Sequence, residues 1–297
     1  MKIPKFLTIL IVNKMIRDSK RVIKKTPFKS EPSNIYDIYY TEKNIDSEAF
    51  DLYRRKIDSD RRITLIDIHG GAYAAGFRKS QFYFVRQFQD EGMDVLCPDY
   101  THTGKNKNIS VETQIKELVL FLNYLDEHFE ELDLSPEIYL MGDSAGGHFV
   151  LLLTEIFGNM ALKERFALNV SHLKLKGTLV NCPVYRFEDF TNNKMKDSAK
   201  IWMFGGMIMD ETWAKMISPS HYTKDIKVPV YISSSDKDFL IDHSKALNED
   251  LTSLNVPHQF TFIEGNDKAG HVHNVINLTL EDSRRVNKEM IEFILNN

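Results

Sequence analysis

A mostly parallel α/β sheet with helices on both faces is the fold class the sequence predicts, and three observations carry it. Short apolar runs recur along all 297 residues. Stretches with helical periodicity separate them, so neighbouring strands need crossover connections, which are right-handed in such sheets. Small or polar clusters follow several runs directly. Ligands in this architecture bind beyond the carboxyl ends of the strands, so these clusters are expected to meet at one edge.

Residues 34–40 and 49–57 read as two strands. Ile63 to Ile68 is an apolar run ending at His69-Gly70-Gly71-Ala72-Tyr73. Phe82, Val85, Phe88 and Gln89 fall on successive turns of a helix. Val95-Leu96-Cys97-Pro98 is a short strand closed by Asp99-Tyr100, and residues 101–109 form a polar loop. Ser110 caps a long helix with Glu112 in its first turn. Val111, Ile115, Leu118, Leu122, Leu125 and Phe129 make one apolar stripe along it. Ile138 to Met141 is a strand, and His148 to Leu153 begins a buried helix. Leu175 to Cys182 is another strand. Residues 185–222 then break the rhythm: they contain Trp202, Trp213, Met203, Met207, Met209 and Phe204 but no strand pattern. Val228 to Ile232 and Gln259 to Ile263 restore the sheet. Val286, Met290, Phe293 and Ile294 mark a closing amphipathic helix. There is no internal repeat.

Composition narrows the function. With 42% hydrophobic and 27% charged residues the chain is an ordinary globular one. A net charge of −4 argues against nucleic acid as a partner. Cys97 and Cys182 lie in apolar strand-like segments and read as buried thiols, so neither a disulfide framework nor a cysteine-based metal site is expected; a reducing, cytoplasmic location fits. Residues 1–30 carry nine Lys/Arg against one acid. This basic segment is expected to be a helix packed over the site. A lipid-touching amphipathic helix and a poor signal sequence are the less favoured readings. Its apolar run, Phe6 to Val12, is far too short to span a bilayer.

The chemistry centres on Gly142-Asp143-Ser144-Ala145-Gly146-Gly147, between a strand and a helix. A serine flanked by glycines at such a junction is held in a tight turn that projects its hydroxyl, and the Ala145 N–H at the helix start is free for an anion. His69-Gly70-Gly71-Ala72 follows its own strand; the N–H groups of Gly71 and Ala72, with that of Ala145, would make an oxyanion hole. Ser233-Ser234-Ser235-Asp236-Lys237-Asp238 follows the next-to-last strand and supplies two competing acids. Gly270-His271-Val272-His273 follows the last strand and supplies two competing histidines. The chain order Ser, Asp, His is that of one hydrolase architecture among the three in which this triad recurs.

On these residues the chain resembles α/β-hydrolase-fold esterases of the hormone-sensitive-lipase-like, HGGG-bearing group, over about residues 34–297. The resemblance implies Ser144 as nucleophile. It favours Asp238, which opens the Asp238-Phe239-Leu240 step, over Asp236, and His271 over His273. Two features depart from the group: Ala72 replaces the third glycine, and Tyr100-Thr101-His102-Thr103-Gly104 replaces its usual run after the fourth strand, which points to a looser relative. The implied organisation is a domain over residues 31–297 with a cap inserted at about 185–222, to which residues 1–30 would contribute. The implied activity is hydrolysis of short- to medium-chain carboxylic esters, with no metal or organic cofactor. An amidase or formamidase using the same triad, or a silent small-molecule binder, is the alternative. Tyr73 is a weaker expectation for the acyl pocket. Asp143 either orders the elbow or plays an exposed hydrogen-bonding role, and His221 reads as a loop histidine.

Overall fold

The computed structural model describes residue 10 and residues 30–58, 61–104, 108–192 and 194–297. The basic segment expected over residues 1–30 lies outside them, apart from its residues 10 and 30. Among the described residues, eight strands form one sheet: β1 (Ile35–Tyr39), β2 (Ala49–Tyr53), β3 (Ile63–Ile68), β4 (Met93–Pro98), β5 (Glu137–Asp143), β6 (Lys174–Asn181), β7 (Val230–Ser235) and β8 (His258–Ile263), in the order β1-β2-β4-β3-β5-β6-β7-β8. β2 pairs antiparallel with β1 and with β4; the other pairings are parallel.

The helices among residues 30–297 that the structure describes are α1 (Phe82–Asp90), α2 (Val111–His128), α3 (Ala145–Gly158), α4 (Met160–Phe166), α5 (Asp197–Phe204), α6 (Glu211–Met216), α7 (Ile241–Ser253), α8 (His273–Ile276) and α9 (Glu281–Asn296). Strand side chains alternate between two cores, as the period of two requires. Ile66, Leu96, Leu140, Val180 and Ile232 pack with α2, α3 and α7 on one face. Leu65, Val95, Tyr139, Leu179 and Tyr231 pack with α1 and α9 on the other.

One strand end and two helices differ from expectation. β2 stops at Tyr53 rather than residue 57, because the next backbone donors turn to side chains: Arg54 N–H to Asn34 (2.9 Å) and Arg55 N–H to Asp94 (3.1 Å). α4 and α7 were not visible as helices in the sequence. α4 is seven residues long, and α7 buries only Ser244, Ala246, Leu247 and Leu251, too sparse a stripe to read.

The 185–222 segment forms short helical turns with no strand among its described residues. It is tied to the body at several points. Trp202 and Met203 pack on Ala74 and Ala75. Trp213 Nε1–H donates to Glu112 at 2.8 Å. Phe204 and Ile208 join the main core. No single helix among the described residues is long and apolar enough to cross a membrane. Both cysteines are free and buried.

Candidate active site

Ser144 links the end of β5 to the start of α3 with φ 55° and ψ −114°. Such a conformation is strained for a residue with a Cβ, and persists only where surroundings enforce it. Here the Ser144 N–H donates to Asn181 O of β6 (2.9 Å), and its carbonyl accepts the His148 N–H (3.1 Å) that starts the helix. A Cβ on Gly146 would collide with the Ile68 carbonyl of β3, so the elbow can press against its neighbouring strand only with glycine there.

His271 Nε2 lies 2.9 Å from Ser144 Oγ, and His271 Nδ1 lies 2.7 Å from Asp238 Oδ1. The ring therefore accepts from the serine hydroxyl and donates to the carboxylate. Asp238, 3% exposed, also accepts from the Leu240 N–H (3.0 Å) and the Ser234 hydroxyl (2.9 Å). Burial alone would raise its pKa; the hydrogen bond and charge of His271, with these two donors, outweigh that and hold it below the ordinary carboxylate range. A bridge between Lys237 and Gly270 fastens the acid loop to the histidine loop. The Val272 N–H donates to Cys182 Sγ at 3.3 Å.

The competing residues go elsewhere. Asp236 accepts from the Gly265 N–H and pairs with Lys237. His273 is buried against Ser283 at 3.0 Å. His221 faces Glu188 at 3.1 Å, as a loop histidine would. Asp143 is buried rather than exposed and orders the elbow's surroundings, accepting from the Gly70 N–H (3.0 Å) and Gln81 (2.6 Å). Burial lifts its pKa, and the Gly70 contact offsets part of the rise.

The loop after β3 turns through left-handed backbone at Ala72 (φ 52°) and Tyr73 (φ 63°), and Gly71 has φ 134°. The N–H groups of Gly71, Ala72 and Ala145 donate to no backbone acceptor among the described residues. Tyr73 is 1% exposed, its ring packs against Phe149, Phe187 and Phe204, and its hydroxyl donates to His148 Nδ1 (3.0 Å). His148 in turn donates to Ile217 O, and burial pushes its pKa down to about 4, so it is a neutral strut at pH 7.

Several supporting residues were not anticipated. Ser234 stood in a quoted polar run but gave no sign of its orientation. Arg78 and Gln81 lie in a short 3-10 turn just before α1, outside its periodic stretch. Arg78, 5% exposed, bonds Asp37, Asp51 and Asp99 at once. Asp99 Oδ1 lies 3.1 Å from His69 Nε2, and Tyr100 stacks on the His69 ring with 4.4 Å between centroids. The loop is thus clamped from beneath. Cys182, Asp238 and His271 bring metal-ligand atoms within 4.8 Å of one another. Two of these already share a hydrogen bond, and burial pushes the Cys182 thiol up, so the donor set suits a triad better than a cation.

The fold is similar to that of an inhibited esterase B from Lactobacillus rhamnosis, with 20% identity, a TM-score of 0.82, and 97% of this chain and 95% of that one covered. It is similar to Francisella virulence factor BioJ at 20% identity and TM-score 0.70, covering 96% and 91%. It is also similar to a hyperthermophilic esterase from the archeon Pyrobaculum calidifontis at 14% identity and TM-score 0.70, covering 96% and 92%. No curated protein matches the chain in sequence. These likenesses establish the α/β-hydrolase fold. The BD-FAE family model matches residues 50–251, a stretch that contains the serine elbow, the glycine loop and the acid, and the chain belongs to that family.

Proposed function

We propose that the protein is a serine carboxylesterase acting on short- to medium-chain acyl esters. The observation that carries this reading is the continuous relay from Ser144 Oγ through His271 to Asp238, at 2.9 and 2.7 Å, with the serine in a strained elbow. His271 Nε2 takes the hydroxyl proton as Ser144 Oγ attacks the ester carbonyl. Negative charge gathers on the former carbonyl oxygen, where the N–H groups of Gly71, Ala72 and Ala145 receive it. Asp238 stays ionised and holds the imidazolium. The carbon–alkoxide bond then breaks, His271 passes its proton to the leaving oxygen, and an acyl-serine remains. Water repeats the sequence and releases the acid. The chemistry calls on no metal or organic cofactor. The 185–222 segment acts as the cap, since it packs on the loop that carries two oxyanion donors. Two buried free thiols fit a reducing, cytoplasmic setting.

An acyl-chain panel of esters run on wild type and Ser144→Ala tests the reading. Wild type should turn over acetyl and butyryl esters and be labelled by a fluorophosphonate. The variant should lose on the order of 10⁴-fold in kcat or more while keeping its fold. Preferential cleavage of an N-formyl arylamine would move the assignment to amide hydrolysis. A wild type that resists the fluorophosphonate would leave only a silent binder.

A further inference from the structure

Phe239 follows Asp238 directly, yet it is 76% exposed, while Leu240 on its other side is 6% exposed. Its ring lies 4.2 Å from the His271 ring between centroids, tilted by 38°. An exposed aromatic ring alone needs no explanation. This one is held against the imidazole that hands protons to and from the substrate, and the chain on either side is anchored. Asp238 is fixed by His271, Ser234 and the Leu240 N–H.

The triad's own chemistry says what stands there. In ester cleavage, His271 Nε2–H must reach the alkoxide oxygen as the carbon–oxygen bond breaks; the bond's electron pair stays on that oxygen, the proton joins it, and the alcohol leaves. The group attached to that oxygen therefore lies beside the imidazole, whereas the acyl half stays on Ser144. We propose that Phe239 is a specificity-determining residue that forms the wall of the alcohol-side subsite and favours esters whose alcohol carries an aromatic ring. This rests on the esterase reading given above. A ring in the alcohol buries apolar area against Phe239 and can stack or pack edge-on with it, while a short alkyl alcohol reaches little of it.

The test holds the acyl group constant and varies the alcohol. Benzyl butyrate and ethyl butyrate are compared for wild type, Phe239→Ala and Phe239→Tyr, with proton release as the readout and circular dichroism as a check on folding. Removal of so exposed a side chain leaves the fold intact. Wild type should prefer benzyl butyrate. Phe239→Ala should lose about tenfold in kcat/KM on the benzyl ester, chiefly through KM, and only about twofold on the ethyl ester; a tenfold loss corresponds to about 1.4 kcal/mol. Phe239→Tyr should keep the preference. Equal losses on both esters would mean that Phe239 merely orients His271, and would overturn the proposal, as would no loss on either. Failure of wild type to hydrolyse either ester would instead sink the esterase reading, and this inference with it.

Discussion

Replacing Asp238 by Asn keeps the side chain's shape and removes its charge. The amide would still face His271 Nδ1, but it cannot stabilise an imidazolium, and it favours the wrong tautomer. Asp238→Asn should lose about 10³- to 10⁴-fold in kcat with little change in KM. Acidification provides a second handle on the same group. Its folded pKa is depressed, so the carboxylate and the stability it contributes are fully present above the ordinary carboxylate range. Both are lost as pH falls through the lower folded value. The thermal midpoint of wild type should therefore drop in that acid range more steeply than that of Asp238→Asn. Parallel acid profiles for the two proteins would show that Asp238 carries no such linkage. The choice of this acid over Asp236 was not legible from residue pattern alone, because both stand in one polar run. β7 ends at Ser235, and the turn that follows sends Asp236 toward Gly265 and Asp238 toward His271.

At the scale of elements, apolar runs and period 3.6 carried most of the fold. The central strands were legible as continuous apolar runs because both their faces are buried, and the capped helix from Val111 and the closing helix because each presents an apolar stripe. The 185–222 segment was legible only as an interruption, since its short turns have no face long enough to show a period. What it packs against is a matter of tertiary contact. Phe204, at the end of α5, is 1% exposed and touches Tyr73, Phe187 and Phe190. Tyr73 is the residue directly after Ala72. The segment therefore bears on the loop whose N–H groups would hold the oxyanion. Phe204→Ala should cost about 3–5 kcal/mol of stability by leaving a cavity, and should lower kcat more than it raises KM. Phe204→Leu, which refills most of the space, should recover both. An Ala variant that loses stability but keeps kcat would mean that the loop holds its shape without the 185–222 segment.

At the scale of the whole molecule, one buried side chain joins parts of the chain that no local pattern connects. Arg78 reaches Asp37 in β1, Asp51 in β2 and Asp99 just after β4, and Asp99 in turn meets His69 at the start of the glycine loop after β3. β1 and the start of β2 form the antiparallel edge of the sheet and lie outside the matched family region, which starts at residue 50. Arg78 thus fastens that edge to the body and to the site together. Its charge is held strongly, because three carboxylates outweigh the cost of its burial. Asp51 shows the opposite balance: burial raises its pKa despite the guanidinium beside it. Removing Arg78 would leave Asp51 and Asp99 buried without their main counter-charge. Arg78→Met should therefore lose about 3–5 kcal/mol, read as a lower urea midpoint. Arg78→Lys should recover only part of this, since one ammonium cannot span three acids with the geometry of a planar fork. Activity should fall in the Met variant even well below its unfolding midpoint, because Asp99 would no longer be held under His69. If Arg78→Met unfolds at the wild-type midpoint, the cluster is a set of individually solvated charges and does not join edge, body and site.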